Sequence, residues 1–133
     1  MFKKTLAGLI TASSMLFTSP AFAEEVIAEY LTWLDAKDTV TSKGVKLTSF
    51  GAVLAQDRAN YHRFGIRQEF DTSDPIFSNK DMRAKLPELY QAGRSVEAYI
   101  KDDVMSGRGH YVFVRIMGNN GVITHVNVYE GAG

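Results

Sequence analysis

The densest run of side chains able to do chemistry is Gln56-Asp57-Arg58-Ala59-Asn60-Tyr61-His62-Arg63. A helix advances by roughly 100° per residue, which puts Asp57 in the middle of an apolar stripe formed by Phe50, Leu54, Tyr61 and Phe64. A bare carboxylate in that position costs several kcal/mol, so it must be paired or hydrogen-bonded. Two roles satisfy this condition. Asp57 is either a buried anchor accepting from an arginine, a tyrosine hydroxyl or loop amides, or a general base on the floor of a cleft, and the anchor is preferred. Arg58 and His62 lie one turn apart on the adjacent flank, where both could face a common ligand. Histidine carries protons near neutral pH and arginine orients anions, so these three residues define a small hydrolase or lyase as the alternative reading. Nothing at fixed spacing completes a nucleophile or metal set, and a solvated helix flank is the simpler account of Arg58 and His62.

Other chemistries find less support. The absence of cysteine removes disulfide frameworks, zinc-thiolate and iron-sulfur sites, and a thiol nucleophile. No G-x-S-x-G turn is present. Ser106-Gly107-Arg108-Gly109 is too short for a phosphate loop and lacks its lysine, although Arg108 could reach an anionic partner. His62, His110 and His125 show no H-x-H or H-x-x-x-H pairing. Glu69, Asp71 and Asp74 lack the alternation and central glycine of an EF-hand, and read as a solvated turn ending at Asp74-Pro75. No metal and no cofactor is expected.

The chain has 133 residues and a formal net charge of zero, with 45% hydrophobic and 23% charged residues. Its start has the three parts of an export signal: Lys3 and Lys4, an uncharged stretch from Leu6 to Phe17, and Ala21-Phe22-Ala23 after Pro20. The apolar stretch is shorter than the roughly 20 residues a membrane span needs. Cleavage after Ala23 leaves 110 residues with a net charge of −2. The expectation is therefore a leader over 1–23 and a single domain over 24–133, delivered to a bacterial periplasm or secreted, with no membrane span and no general affinity for nucleic acid. Arg58, Arg63 and Arg67 stand out as a local concentration of positive charge in a mildly acidic chain.

The clearest element is a C-terminal hairpin, His110 to Met117 and Val122 to Tyr129. A three-residue loop, Asn119-Asn120-Gly121, pairs Val112 with Val128, Val114 with Val126 and Ile116 with Thr124. A two-residue loop would instead mix the two faces and put His125 and Asn127 among valines. Val26 to Leu34 is the best third strand, preferred over a helix built on Ile27, Tyr30, Leu31 and Leu34. Helices are expected from Phe50 to Phe64, capped by Thr48 or Ser49, and from Ser78-Asn79 with an interruption at Pro87. Another should follow Ser95, with Val96, Tyr99, Ile100 and Val104 inward and Gly107 closing it. The fold class is α+β: a small, mainly antiparallel sheet packed with about three short helices.

One face of the hairpin carries Tyr111, Phe113, Arg115, His125, Asn127 and Tyr129, the residue types that dominate protein interfaces. If the helices pack on this face, these residues are instead core and rim. The leading expectation is an exported binding or accessory protein without catalysis of its own, its partner another periplasmic or envelope protein. A third reading has the hairpin edge pairing with another chain.

Overall fold

The strand reading of the first segment holds. In the computed structural model, which describes residues 8, 13–16 and 23–132, β1 (Glu25–Leu34) is a ten-residue strand in which Tyr30, Thr32 and Leu34 point to the same buried side. Most of the expected leader lies outside the described residues. A 3-10 turn, Ala36–Thr39, follows β1 and is closed by a capping box in which Asp35 and Asp38 each bond the other's backbone amide region. Then come α1 (Phe50–His62), α2 (Lys80–Ala84), α3 (Leu86–Ala92) and α4 (Ala98–Met105), before β2 (His110–Asn119) and β3 (Val122–Glu130) complete an antiparallel sheet of order β1-β2-β3. The fold is α+β.

Cap chemistry sets the helix boundaries. Ser49 accepts from the Ala52 amide at the start of α1. Asn79, rather than Ser78, caps α2 by accepting from the Asp81 and Met82 amides. Pro87 splits the next stretch into two helices, because its ring cannot continue the α2 hydrogen bonds but suits the first turn of α3. α4 begins at Ala98, later than a Ser95 cap implies, and Tyr99 faces outward, with its hydroxyl donating to Glu130. α1 stops at His62, so Phe64 leaves the apolar stripe and is exposed.

The hairpin register differs from the expected one. Asn119 pairs with Val122, leaving a two-residue turn of Asn120 and Gly121, both with positive φ (50° and 75°). Val114 opposes Val128 and Ile116 opposes Val126, a shift of two residues from the expected pairing. A bulge makes this compatible with a uniform valine face. Between the Met117–His125 and Gly118–Ile123 pairs β3 advances two residues to one of β2, so Thr124 is extra and the parity of the faces is restored. Gly118 permits the close approach: a Cβ there would lie 2.3 Å from both the Val122 carbonyl oxygen and Ile27 Cδ1.

Among the described residues the helices all sit on the valine side. Val112, Val114, Ile116, Val126 and Val128 are fully buried against Phe50, Val53 and Leu54 of α1, Leu86 and Leu89 of α3, and Ile100 and Val104 of α4. Each such aliphatic side chain contributes roughly 1.5–3 kcal/mol by leaving water, so a register slip that turned the set outward would forfeit more than a small domain's net stability.

Loops cover parts of both sheet edges. On β1, Asp71 and Thr72 take the Trp33 and Leu31 amides. On β3, Arg94 O accepts from the Val128 amide at 3.0 Å, and Gly93 lies so close that a Cβ would be 1.9 Å from Val126 O. The hairpin edge is thus occupied by the protein's own chain at Val126–Val128. Gly93→Ala should cost about 1–3 kcal/mol through this backbone clash, read as a lower urea midpoint with an unchanged slope.

Candidate functional site

The helix that carries Asp57, Arg58 and His62 turns them inward, into one network. Asp57 accepts from the Thr32 hydroxyl at 2.7 Å and from Arg58 Nε at 2.8 Å. Arg58, expected on a solvated flank, has a fully buried side chain whose Nη1 donates to Asp74 Oδ1 and to the Thr72 carbonyl, both at 3.1 Å. Among the described residues its Nη2 meets no acceptor, and the electron-rich ring faces of Tyr30 and Tyr61, 4.0 and 4.7 Å from Cζ, compensate in part. His62 Nε2 lies 2.8 Å from the same Asp74 oxygen, and its side chain is 9% exposed. The physical reason for the difference is the 66–77 loop. It brings an acceptor to Arg58 that the helical wheel of α1 cannot show.

Electrostatics follow from burial. Desolvation raises the Asp57 pKa, and the Arg58 charge and the Thr32 hydroxyl offset it only in part. Asp38 is pushed up to about 7, first by burial and then by the nearby Asp57 charge, with the Asp35 amide and Asn60 opposing. Asp74 moves the other way. Burial would raise it, but the Phe77 amide, His62 and Arg58 together hold it below the usual carboxylate range. The result is a sealed set of charges. None of the surface hollows described below is lined by Asp57, Arg58 or His62. Of the acids considered for calcium, two serve as anchors: Asp71 holds the Trp33 and Gln68 amides, and Asp74 caps the 74–77 turn, while Glu69 is exposed. Among the described residues no group of three or more histidines and acids is placed to hold a metal ion.

The outer face of the sheet is the opposite case. Among the described residues no helix covers it, and Trp33, Tyr111, Phe113 and Tyr129 lie along it, each half-buried by its neighbours. Trp33 and Tyr111 meet edge to face at 4.7 Å, and Phe70 reaches over from the loop to 6.2 Å from Tyr111. Gly109 makes room for the indole, since a Cβ there would be 1.9 Å from Trp33 Cζ2. Arg115 donates to Glu29 at 2.9 Å and lies 5.5 Å from the centroids of both Phe113 and Tyr129. His125 bonds the Thr124 hydroxyl and lies 3.6 Å from Glu24. Asn127 serves the edge by accepting from the Arg94 amide. A hollow of about 280 Å³ opens between Trp33, Gln68, Glu69 and Tyr111.

No family model, curated protein or solved structure matches this chain.

The sequence-chosen residues therefore separate into three places. Asp57, Arg58 and His62 are in the sealed network, while Tyr111, Arg115, His125 and Tyr129 share the outer face. Arg108 stands apart, in the turn between α4 and β2, exposed and paired with Asp103 at 2.8 Å. Sequence reasoning missed Trp33 and Phe70. The only tryptophan, on the outward parity of a β-rich segment, was a usable signal for the first. Phe70 gave none, because its place depends on how the loop returns to β1.

Phe70 is also strained. Its φ is +68°, a conformation that L-residues with bulky side chains adopt at a cost, and the residue is 56% exposed. An aromatic ring held in that backbone and more than half exposed gains little for the fold beyond its contact with Tyr111.

Proposed function

We propose that this chain is an exported binding or accessory protein, without catalysis of its own, that docks another periplasmic or envelope protein on the outer face of its sheet. The observation that carries the reading is the aromatic row Trp33, Tyr111, Phe113 and Tyr129, left uncovered by the helices and extended by strained Phe70. Rigid aromatics beside an arginine supply large contact area at low entropic cost, as interface centres require. What favours this reading over a hydrolase or lyase is that Arg58 is fully buried and Asp57 is engaged by Arg58 and Thr32. Neither is placed to touch a substrate.

Capture of a partner from periplasmic extract is the test. Arg115→Ala and Tyr129→Ala should each weaken capture about tenfold or more while leaving the circular dichroism spectrum unchanged. Phe70→Asn sharpens the comparison, since asparagine tolerates positive φ. It should leave stability unchanged or raise it by up to about 1 kcal/mol, yet weaken capture. Retention of the partner by all three variants would overturn the reading.

A further inference from the structure

Two loops outside the sheet face share one pattern. Lys43-Gly44-Val45-Lys46 and Arg63-Phe64-Gly65-Ile66-Arg67 each place apolar residues between cations. In each, a glycine with positive φ (79° at Gly44, 67° at Gly65) makes the tight turn that presents its neighbours to solvent. Val45 is 63% exposed, Phe64 43% and Ile66 42%. Phe64 and Ile66 border a hollow of about 410 Å³ whose other side is lined by Thr41 and Ser42, and the Thr41 amide donates to Val45 O at 2.8 Å, which ties the second loop to its rim. Lys37 also lines it.

Within these loops the exposed charge is positive, with buried Asp38, held by Asn60, and exposed Glu69 at the ends of the segment. From Thr39 to Gln68 the only acid is Asp57, which is buried against Arg58. Among the described residues Lys43, Lys46, Arg63 and Arg67 form no salt bridge. Arg63 lies with Cζ 5.0 Å from the Phe64 ring, keeping the cation beside the apolar tip. Both loops thus offer apolar tips flanked by unneutralised cations. That order suits the boundary of a bilayer, where apolar side chains reach the acyl region while lysine and arginine meet anionic headgroups.

We propose that loops 43–46 and 63–67 form a peripheral docking site for an anionic lipid surface. An acidic protein would attract the same cations, and the experiment separates it from the lipid surface that the alternation of apolar tips and cations favours.

The experiment is flotation of the processed protein, its N-terminus read by mass spectrometry, with vesicles of phosphatidylglycerol and phosphatidylethanolamine or of phosphatidylcholine alone. Binding should require the anionic lipid and fall with added salt. Each cation near the surface is worth roughly fivefold in affinity, so Lys43→Glu combined with Lys46→Glu should weaken binding roughly 25-fold or more. Both positions are in an exposed turn, and circular dichroism checks the fold. Phe64→Trp adds an indole at one tip, whose emission relative to the parent protein should shift to the blue on anionic vesicles. Equal binding to phosphatidylcholine, undiminished binding by the double variant, or an unshifted indole overturns the proposal. So does binding to soluble polyglutamate that matches binding to the vesicles, which would assign the loops to an acidic protein.

Discussion

Arg58→Met should lower the unfolding free energy by about 3–5 kcal/mol, a large part of the roughly 5–15 kcal/mol that holds a domain of this size. The loss arises less from the missing bonds than from what remains. Asp57 and Asp74 each lose an arginine hydrogen bond at a buried position, and methionine offers neither charge nor donor. The two tyrosine rings also lose the cation between them. Urea denaturation measures the effect. Adding Asp57→Asn to Arg58→Met should recover part of the loss, since it removes one of the stranded charges, and a double-mutant cycle isolates that coupling. A cost below about 1 kcal/mol for Arg58→Met would mean that the network is hydrated rather than sealed.

Stability should rise when the pH is lowered from 8 to about 5. Asp38 has a folded pKa of about 7 against an ordinary value of 3.8, so between these values the folded protein holds a proton that the unfolded chain releases. Its contribution is complete below about pH 4 and is lost as the pH rises through about 7. Asp57, also raised by burial, adds in the same direction. The Asp38 shift corresponds to at most about 4 kcal/mol. Asp74 works oppositely: with a depressed folded pKa, its stabilisation is present above about 3.8 and is lost as the pH falls below that value. The optimum therefore lies near pH 4–5. Thermal melts across pH 3–9 should show it, and Asp38→Asn should flatten the alkaline limb. A stability maximum above pH 7 in the parent protein would refute the assignment.

The loops account for what the sequence left open about these residues. Periodicity placed Asp57 among Phe50, Leu54 and Tyr61 and so required it to be paired. It could not reveal that its partner is the next residue, because Arg58 leaves the helix flank only when Asp74 and the Thr72 carbonyl accept it from 14 to 16 residues away. The hairpin shows the same limit in another form. Alternation identified Val112, Val114, Val126 and Val128 as one face, and that face is buried. The loop length was misjudged because the bulge at Thr124 restores the parity that a two-residue turn breaks, and a bulge has no composition of its own.

By itself the sequence determined the α+β class, an interruption at Pro87 and the grouping of Tyr111, Arg115, His125 and Tyr129 on one surface, and it preferred a strand to a nearly equal helix for the first segment. These follow from side-chain periodicity, ring geometry and capping, all of which act over a few residues. Only the tertiary structure decided which sheet face the helices cover, that Arg58 is buried, and that Phe64 and Phe70 stand in solvent. Those outcomes depend on where distant loops return to the sheet, and the burial of the whole valine face against three helices outweighs any single local preference.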